Sequence, residues 1–356
     1  MKHNLVVILF PFFLGVILSI AFSARVNAQS KAKRFSIVER KADKRVDITV
    51  DGKPFTSYIY PDVLMKPVLY PLRTVQGTLI TRGWPMDPRP GERVDHPHHV
   101  GSWLNYGDVN GLDFWNNSTD IPAEKKSGFG TIKHRKVTKM MAGDDQAELE
   151  VTLDWKKPDG SDILREDTKF VFSGSGNMLT LERITKLTAL KEDVSFKDNK
   201  EGVFGIRLAR ELEHPSQKPE LYTDATGRST AVAKLNNEGV TGKYRSSEGK
   251  EGDDVWGTRG KWVNLNGMIG NEPVSLVILD HPSNVGYPTY WHARGYGLFA
   301  ANPLGQKEFS KGKDILNFQL PAGKSVTFRY KVLIHTGSNL TDAQVAQEFE
   351  KFSASK

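Results

Sequence analysis

Three histidines fall within four consecutive positions of a stretch rich in turns, aromatic rings and carboxylates. The stretch is DHPHHVGSWLNYGDVNGLDFW, residues 95–115, and the histidines are His96, His98 and His99. Neutral imidazoles can bind a metal or carry a proton near neutral pH. On an extended strand, His96 and His98 would face one side and His99 the other. The stretch is therefore either one wall of a chemical site, with a divalent metal as one option, or a rigid corner.

A second Asp-His-Pro segment occurs in DHPSNVGYPTYWHARGYGLFAANPLG, residues 280–305. It contributes His281 and His292, and His292 lies between Trp291 and Arg294 in the chain. Rings of Trp and Tyr stack on the apolar faces of sugars, while polar side chains bond to hydroxyl groups. This composition suits a sugar or polyol ligand, although such rings can also simply pack beneath loops.

Two further segments carry charged groups that could act on a ligand. In FKDNKEGVFGIRLARELEH, residues 196–214, Glu201 is either a general base or part of a solvated ion pair with Lys200. Arg207 follows on an alternating strand. In YPLRTVQGTLITRGWP, residues 70–85, Arg73 and Arg82 could contact a carboxylate, a phosphate or a sugar hydroxyl. We expect Arg82 at the surface.

Alternation of apolar and polar residues predicts the elements that must position these groups. Asp51-Gly52 indicates a hairpin turn, and 338–352 is the one convincing helix, with Thr341 and Gln344 as a capping box. Residues 214–260 are expected to be surface loops with a short strand or two. Period-two patterns predict strands at 131–141, 146–155, 164–174, 177–190, 261–269, 274–280, 297–303 and 325–335.

Many antiparallel strands and few helices predict an all-β fold. We expect a large antiparallel β-sandwich with a C-terminal helix, in a single domain over 29–356. A division near residues 125–130 is the alternative.

The N-terminus predicts export. A basic start and the apolar run LVVILFPFFLGVILSIAF precede Val26 and Ala28, which suit signal peptidase. We predict a signal peptide over 1–28 and a periplasmic or secreted protein with no membrane contact after cleavage; an uncleaved anchor is the alternative. The chain has no cysteine, so disulfides are excluded. Its net charge is +7, and its basic residues are interspersed with acidic ones, which gives no support to a nucleic-acid partner.

The segments 70–85, 95–115, 197–209 and 280–305 together resemble the bacterial family labelled methane oxygenase PmoA-like. The resemblance runs from about Phe55 to His335. It implies an exported protein of bacteria that degrade polysaccharides. It also implies a large β-sandwich, similar to the galactose-mutarotase supersandwich.

We therefore predict a carbohydrate-active enzyme of isomerase, epimerase or lyase type that uses general acid–base chemistry on a sugar or oxidised sugar and requires no cofactor. The rivals are a non-catalytic carbohydrate-binding protein, a histidine-ligated metalloenzyme (hydrolase or oxidoreductase) and a structural envelope protein. The oligomeric state is left open. The predicted catalytic residues are His98, His99, Glu201, His281 and His292; the predicted substrate-binding residues are Arg73, Trp103, Asn105, Asp113, Trp115, Arg207, Trp291 and Arg294; and a metal, if present, would use His96, His98 and His99.

Overall fold

Two eight-stranded antiparallel sheets form the framework of the fold. The structure is a computed structural model, and it describes residues 1–3, 33–233 and 236–355. The predicted signal peptide falls almost wholly on 4–32, outside the described residues, and stays a prediction. Residues Lys33–Lys356 form one compact unit. Among the described residues, no helix combines the length and the apolar character needed to cross a bilayer.

The strands are, in chain order, β1 (Phe35–Arg40), β2 (Arg45–Val50), β3 (Lys53–Ile59), β4 (Val68–Leu69), β5 (Ser102–Tyr106), β6 (Thr131–Met141), β7 (Gln146–Lys156), β8 (Asp162–Ser175), β9 (Met178–Ala189), β10 (Val194–Phe196), β11 (Gly202–Arg207), β12 (Glu220–Thr223), β13 (Ser229–Val232), β14 (Lys243–Ser246), β15 (Trp262–Ile269), β16 (Glu272–Asp280), β17 (Tyr290–Arg294), β18 (Leu298–Asn302), β19 (Phe318–Leu320) and β20 (Ser325–Thr336). The helices are α1 (Gln306–Phe309) and α2 (Asp342–Ser353).

The order of strands places β5, β11, β18 and β17, which come from three of the segments identified in the sequence, side by side in one sheet. The first sheet runs β1-β2-β3-β4-β5-β11-β18-β17, and the second runs β14-β15-β16-β20-β9-β8-β7-β6. Strands β10 and β19 form one small sheet, and β12 and β13 form another. The predicted all-β antiparallel sandwich with a C-terminal helix is confirmed. The loop region 214–260 holds three short strands, close to the one or two expected.

Local patterns explain the long strands of the second sheet. In β8, buried and partly exposed residues alternate from Leu164 to Phe172, so one face meets the core and the other meets water. Asp51 and Gly52 have φ values of 50° and 76°, which two-residue hairpin turns favour. The predicted hairpin between β2 and β3 is confirmed.

Helix α2 begins as predicted from its capping box. The Thr341 side chain accepts a hydrogen bond from the Gln344 backbone, and the Gln344 side chain accepts one from the Thr341 backbone. Val345 and Phe349 are buried against Trp262 and Leu333 of the second sheet. The apolar face of α2 therefore docks on that sheet, as expected.

The main core lies between the two large sheets. Phe204 of β11 stacks on Tyr330 of β20, with ring centroids 5.0 Å apart. On the opposite face of the first sheet, a separate cluster includes Trp103, Trp115 and Ala300. Loops cover this outer face, and the candidate site lies there.

Candidate functional site

The pairing of strands β5, β11, β18 and β17 brings side chains from three of the segments identified in the sequence together on the outer face of the first sheet. Trp103 on β5 lies opposite Gly205 on β11, Gly205 opposite Ala300 on β18, and Ala300 opposite His292 on β17. A Cβ at Gly205 would lie 2.8 Å from the Trp103 ring, so the small residue allows the indole to lie over the strand. Because alternate residues share a face, Arg207 and Arg294 project from the same side.

Asp95 anchors the loop that covers this face. Its Oδ1 accepts from Nη1 of Arg82 at 2.6 Å and from Nη2 of Arg207 at 2.5 Å, and its Oδ2 lies 2.9 Å from Nδ1 of His96. Burial opposes the charge of Asp95. The hydrogen bond from His96 and the two guanidinium groups outweigh burial and hold its pKa well below the usual range.

Arg82 is not at the surface, and that expectation is wrong. Its side chain is 1% exposed. The guanidinium also donates to the backbone carbonyls of Arg93, His96 and His99. A guanidinium in the interior needs such acceptors, and the loop supplies them in the fork geometry that arginine favours.

Four aromatic rings form a continuous stack beside this network, which we call the ring stack. His96 has a left-handed backbone, with φ 46°, and its ring lies between Tyr296 and His99. The centroid distances are 5.2 Å to Tyr296 and 4.8 Å to His99, both with planes within 3°. His99 stacks in turn on Trp103 at 5.1 Å.

The three histidines of this loop do not form a metal-ligand set. Imidazole lone pairs lie in the ring plane, and His96 and His99 are stacked face to face, so their nitrogens do not converge on one point. His99 Nε2 accepts from Trp115 Nε1 at 3.1 Å. Within 1–3, 33–233 and 236–355, no group of three His, Asp or Glu side chains is arranged to hold a metal ion.

Burial makes three of the predicted acid–base histidines poor proton donors. Burial, followed by the charge of Lys66, lowers the pKa of His98 to about 2. Burial, followed by Lys200 and Arg294, lowers the pKa of His292 to about 3, and burial lowers that of His99 well below its usual value. All three are neutral near pH 7, so burial does not favour them as proton donors, and their wider acid–base role stays a prediction.

The remaining predicted catalytic residues do not form one site. Glu201 pairs with Lys200, and its other oxygen lies 3.8 Å from Nδ1 of His292. His281 lies at the end of β16 in the second sheet, where its ring contacts Phe352 of α2 at a centroid distance of 5.0 Å. The first Asp-His-Pro segment lies in a loop beside the first sheet, whereas the second begins at Asp280, the last residue of β16 in the second sheet.

The three tryptophans predicted to bind the substrate are buried in the interior. Trp103, Trp115 and Trp291 are each 0% exposed, so none presents a ring face to a ligand in this structure. Trp291 lies on the inner face of the first sheet, and its Nε1 donates to the carbonyl of Gly260. The physical reason is that indole rings contribute more by filling the core than by lining the surface.

Three residues predicted to bind the substrate instead make hydrogen bonds that stabilise loops of the protein. Asn105 donates to the carbonyl of Phe114 at 2.6 Å. The Asp113 carboxylate accepts from the backbone of the two residues that follow Phe114 and from the Asn116 side chain. Arg73 Nη1 donates to the carbonyl of Gly77 and closes its own turn. Of the predicted substrate-binding residues, Arg294 is exposed beside a groove and Arg207 lies under it.

The groove has a volume of 310 Å³. We call it the Tyr296 groove. Its lining includes Arg93, His214, Asp253, Trp256, Arg294 and Tyr296. The Arg294 guanidinium lies 5.4 Å from the Trp256 ring centroid and 5.8 Å from that of Tyr296. Arg207 contacts Tyr296 at 5.0 Å, so the groove and the Asp95 network share this ring.

An imidazole–carboxylate pair lies in the groove. His214 Nδ1 is 3.3 Å from Asp253 Oδ1, and the Asp253 side chain is 82% exposed. Burial lowers the pKa of His214 while Asp253 opposes the shift. Within the described part of the chain, His214 Nε2 and Trp256 Nε1 are buried without a hydrogen-bond partner.

These groove residues were missed by reasoning from sequence. His214 ends the segment 196–214, in which Glu201 is the predicted base, and Asp253 and Trp256 lie in the aperiodic region 214–260. Trp256 is one of the chain's seven tryptophans, and an indole in a polar loop was the available signal.

Comparison with known proteins decides the family. The family of unknown function DUF6807 matches residues 45–350. The chain belongs to the DUF6807 family. The resemblance to the family labelled methane oxygenase PmoA-like is therefore wrong, since the matching family is a different one. Among curated proteins, nothing matches this DUF6807 protein.

Solved structures similar to this DUF6807 protein include two α-galactosidases and one epimerase. The GH36 α-galactosidase from Geobacillus stearothermophilus has 10% identity and a TM-score of 0.38 over 86% of this chain and 41% of its own. The α-galactosidase from Lactobacillus brevis has 11% identity and a TM-score of 0.40 over 90% and 42%. A putative aldose 1-epimerase from Escherichia coli K12 has 10% identity and a TM-score of 0.36 over 86% and 99%. This DUF6807 protein thus spans about two fifths of the α-galactosidases.

The Tyr296 groove gives this DUF6807 protein a site with several chemical capabilities. Trp256 and Tyr296 contribute aromatic rings to its lining, Arg294 offers donors to oxygen, and the His214–Asp253 pair can accept and hold a proton. This set differs from the one predicted in all but Arg294.

Proposed function

We propose that the protein is a carbohydrate-active enzyme that binds a sugar or oxidised sugar in the Tyr296 groove and moves a proton with His214. The observation that carries the proposal is the position of the His214–Asp253 pair in the same 310 Å³ groove as Trp256, Tyr296 and Arg294. A groove of this size suits one small ligand or one sugar unit.

Binding in this proposal divides between apolar and polar contacts. The rings of Trp256 and Tyr296 stack on the C–H face of the sugar, and Arg294 binds a hydroxyl or a carboxylate of an oxidised sugar. Trp256 Nε1, which lacks a partner in the described residues, donates to a ligand oxygen.

The proton transfer follows from the orientation of the imidazole. In this proposal the Asp253 carboxylate, 3.3 Å from Nδ1 of His214, favours the tautomer with the proton on Nδ1, and the lone pair on Nε2 takes the proton of the substrate. Because the pKa of His214 lies below its ordinary value, the ring is neutral near pH 7 and acts as a base. Asp253 then stabilises the imidazolium that forms, and Nε2 delivers the proton to the neighbouring carbon in an isomerisation or to the leaving oxygen in an elimination. Isomerisation, epimerisation and lyase-type elimination all begin with abstraction of a proton, and in this proposal none of them requires a cofactor.

The second candidate function is carbohydrate binding without turnover. The observation that favours it is that His214 Nε2 is buried, whereas Arg294 and the aromatic rings line the groove. A metalloenzyme based on His96, His98 and His99 has no support from the stacked geometry of those rings. We keep periplasmic or secreted localisation as part of the proposal, on the strength of the N-terminal segment.

Proton exchange with solvent tests the proposal. The full chain is incubated in D₂O with a panel of aldoses, ketoses and sugar acids, and ¹H NMR follows deuterium at carbon and the anomeric ratio. We expect exchange or epimerisation with at least one member, and its loss in His214→Asn. His335→Asn, near the C-terminal end of β20 in the second sheet, is the matched control and should behave as wild type. Binding of a sugar that is unchanged in His214→Asn, with no turnover in the wild type, would instead support the binding protein.

A further inference from the structure

A second cavity borders the 95–99 loop, with Pro97 and His98 in its lining. Its volume is 370 Å³, and its lining includes Lys66, Trp84, His98, Val100, Asn117 and Ser118. None of these six residues lines the Tyr296 groove. We call it the Lys66 cavity.

Lys66 is a buried amine without a carboxylate partner in the described residues. Its side chain is 4% exposed, and Nζ donates to the backbone carbonyl of His98 at 2.7 Å. Nζ also lies 5.4 Å from the ring centroid of Trp103, the last member of the ring stack. A lysine buried without an ion-pair partner is rare, because desolvating an ammonium group costs several kcal/mol.

The charge state of Lys66 follows from this environment. Burial lowers its pKa to about 7, and Asp113 opposes the shift only in part. The Asp113 carboxylate already accepts hydrogen bonds from three donors in its own turn. Near neutral pH a large fraction of Lys66 is therefore an uncharged amine, which is the nucleophilic form.

A second group is available to a ligand in the same cavity. His98 Nε2 is buried and has no hydrogen-bond partner in the part of the chain that the structure describes. His98 is neutral, so the tautomer with the proton on Nε2 can donate to a ligand oxygen. Burying an unpaired N–H costs free energy, and a ligand that supplies the missing acceptor restores it.

We infer that the Lys66 cavity binds a small aldehyde or ketone and that Lys66 forms an imine with its carbonyl carbon. The Nζ lone pair attacks the carbonyl carbon, and a proton moves from nitrogen to oxygen to give a carbinolamine. Loss of water then gives the imine, so no oxidant or reductant is involved. His98 Nε2–H binds the oxygen that leaves as water, and Val100 and Trp84 contact the apolar part of the ligand.

Reductive trapping tests this inference on the full chain. The protein is treated at pH 7 with butanal and cyanoborohydride, and peptide mass spectrometry measures alkylation at Lys66 and at the exposed Lys53 and Lys324. With a pKa of about 7, the neutral fraction of Lys66 is on the order of 10³ times that of an ordinary lysine at this pH. We expect Lys66 to react at least about tenfold faster than Lys53, and its rate to saturate with butanal concentration.

Two comparisons separate a built site from a merely reactive amine. His98→Gln, which keeps the backbone carbonyl, should slow the reaction of Lys66 severalfold, while His335→Gln should not. His214→Asn should leave it unchanged, so that failure of this inference and failure of the proposed function are distinguishable. A rate at Lys66 that equals that of Lys53, or that rises linearly without saturation, would overturn the inference.

Discussion

The imidazole of His96 lies parallel to the phenol ring of Tyr296, with centroids 5.2 Å apart and planes within 3°. Tyr296 lines the groove, and His96 is hydrogen-bonded to Asp95. One stacked pair therefore joins the ligand-facing surface to the buried Asp95–Arg82–Arg207 network. The histidine-rich loop supports the groove instead of supplying its chemistry.

Removing the charge of Asp95 should destabilise the fold. Asp95→Asn leaves the guanidinium groups of Arg82 and Arg207 buried without a counter-charge, and Asp95 is itself only 26% exposed. We expect a loss of about 3 kcal/mol in the free energy of unfolding, measured by urea denaturation. Asp62→Asn, which breaks an exposed pair with Lys44, is the control and should change little. A loss as small as that of the control would show that the network contributes nothing.

The same network predicts how the free energy of unfolding changes at acidic pH. The folded pKa of Asp95 is depressed, so its contribution is complete above the unfolded value of roughly 3.9 and is lost as pH falls through the folded value. Between pH 7 and 5, wild type and Asp95→Asn should therefore differ by a constant amount. Below about pH 4 the difference should shrink, and unfolding midpoints at several pH values measure it. A difference that grows on acidification contradicts the assignment.

The pH profile of turnover should report His214. If His214 is the base, kcat/KM rises with pH through the His214 pKa, which lies below its ordinary value. Asp253 raises that pKa, so Asp253→Asn should move the rising limb to lower pH and reduce the maximum rate. NMR titration of the imidazole protons gives the same pKa independently of activity. If the rising part of the kcat/KM profile stays at the same pH in Asp253→Asn, His214 is not the base.

Truncating the aromatic wall should weaken binding more than chemistry. Trp256→Leu removes the indole face and Nε1–H from the groove, and we expect a loss of affinity of about three- to tenfold for the sugar found in the NMR screen. Calorimetry measures it, and kcat should change less than KM. Trp84→Leu, in the Lys66 cavity, is the matched control and should leave the affinity for the sugar at its wild-type value. Equal effects of the two variants would argue against the Tyr296 groove as the sugar site.

The N-terminal segment makes a prediction about processing. Expression of the full chain in a Gram-negative host should give a mature protein that begins at Gln29 in the periplasm or medium. N-terminal sequencing checks the cleavage site. Replacing Ala28 with Gln should block cleavage, and a wild-type protein that keeps Met1 and stays with the membrane fraction would instead indicate an anchor.

Local signals determined the fold and its boundaries. Period-two alternation predicted β6 to its end residues, and Thr341 with Gln344 predicted the start of α2. These features are encoded by neighbours in the chain, so they can be recognised without knowing the fold. The sequence also indicated that segments around His99, Arg207 and His292 belong together, because their aromatic and charged residues are unusual.

Only the tertiary structure decided which of those side chains can do chemistry. Burial sets the protonation of His98 and His292 and hides Trp103 and Trp291, and burial depends on residues distant in the chain. His214 follows β11 and Asp253 follows β14, and only the folded chain brings their side chains to 3.3 Å. The pKa of Lys66 falls to about 7 because the fold removes water from its side chain. Electrostatic environment and solvent access are properties of the packed chain, and a single sequence does not specify them residue by residue.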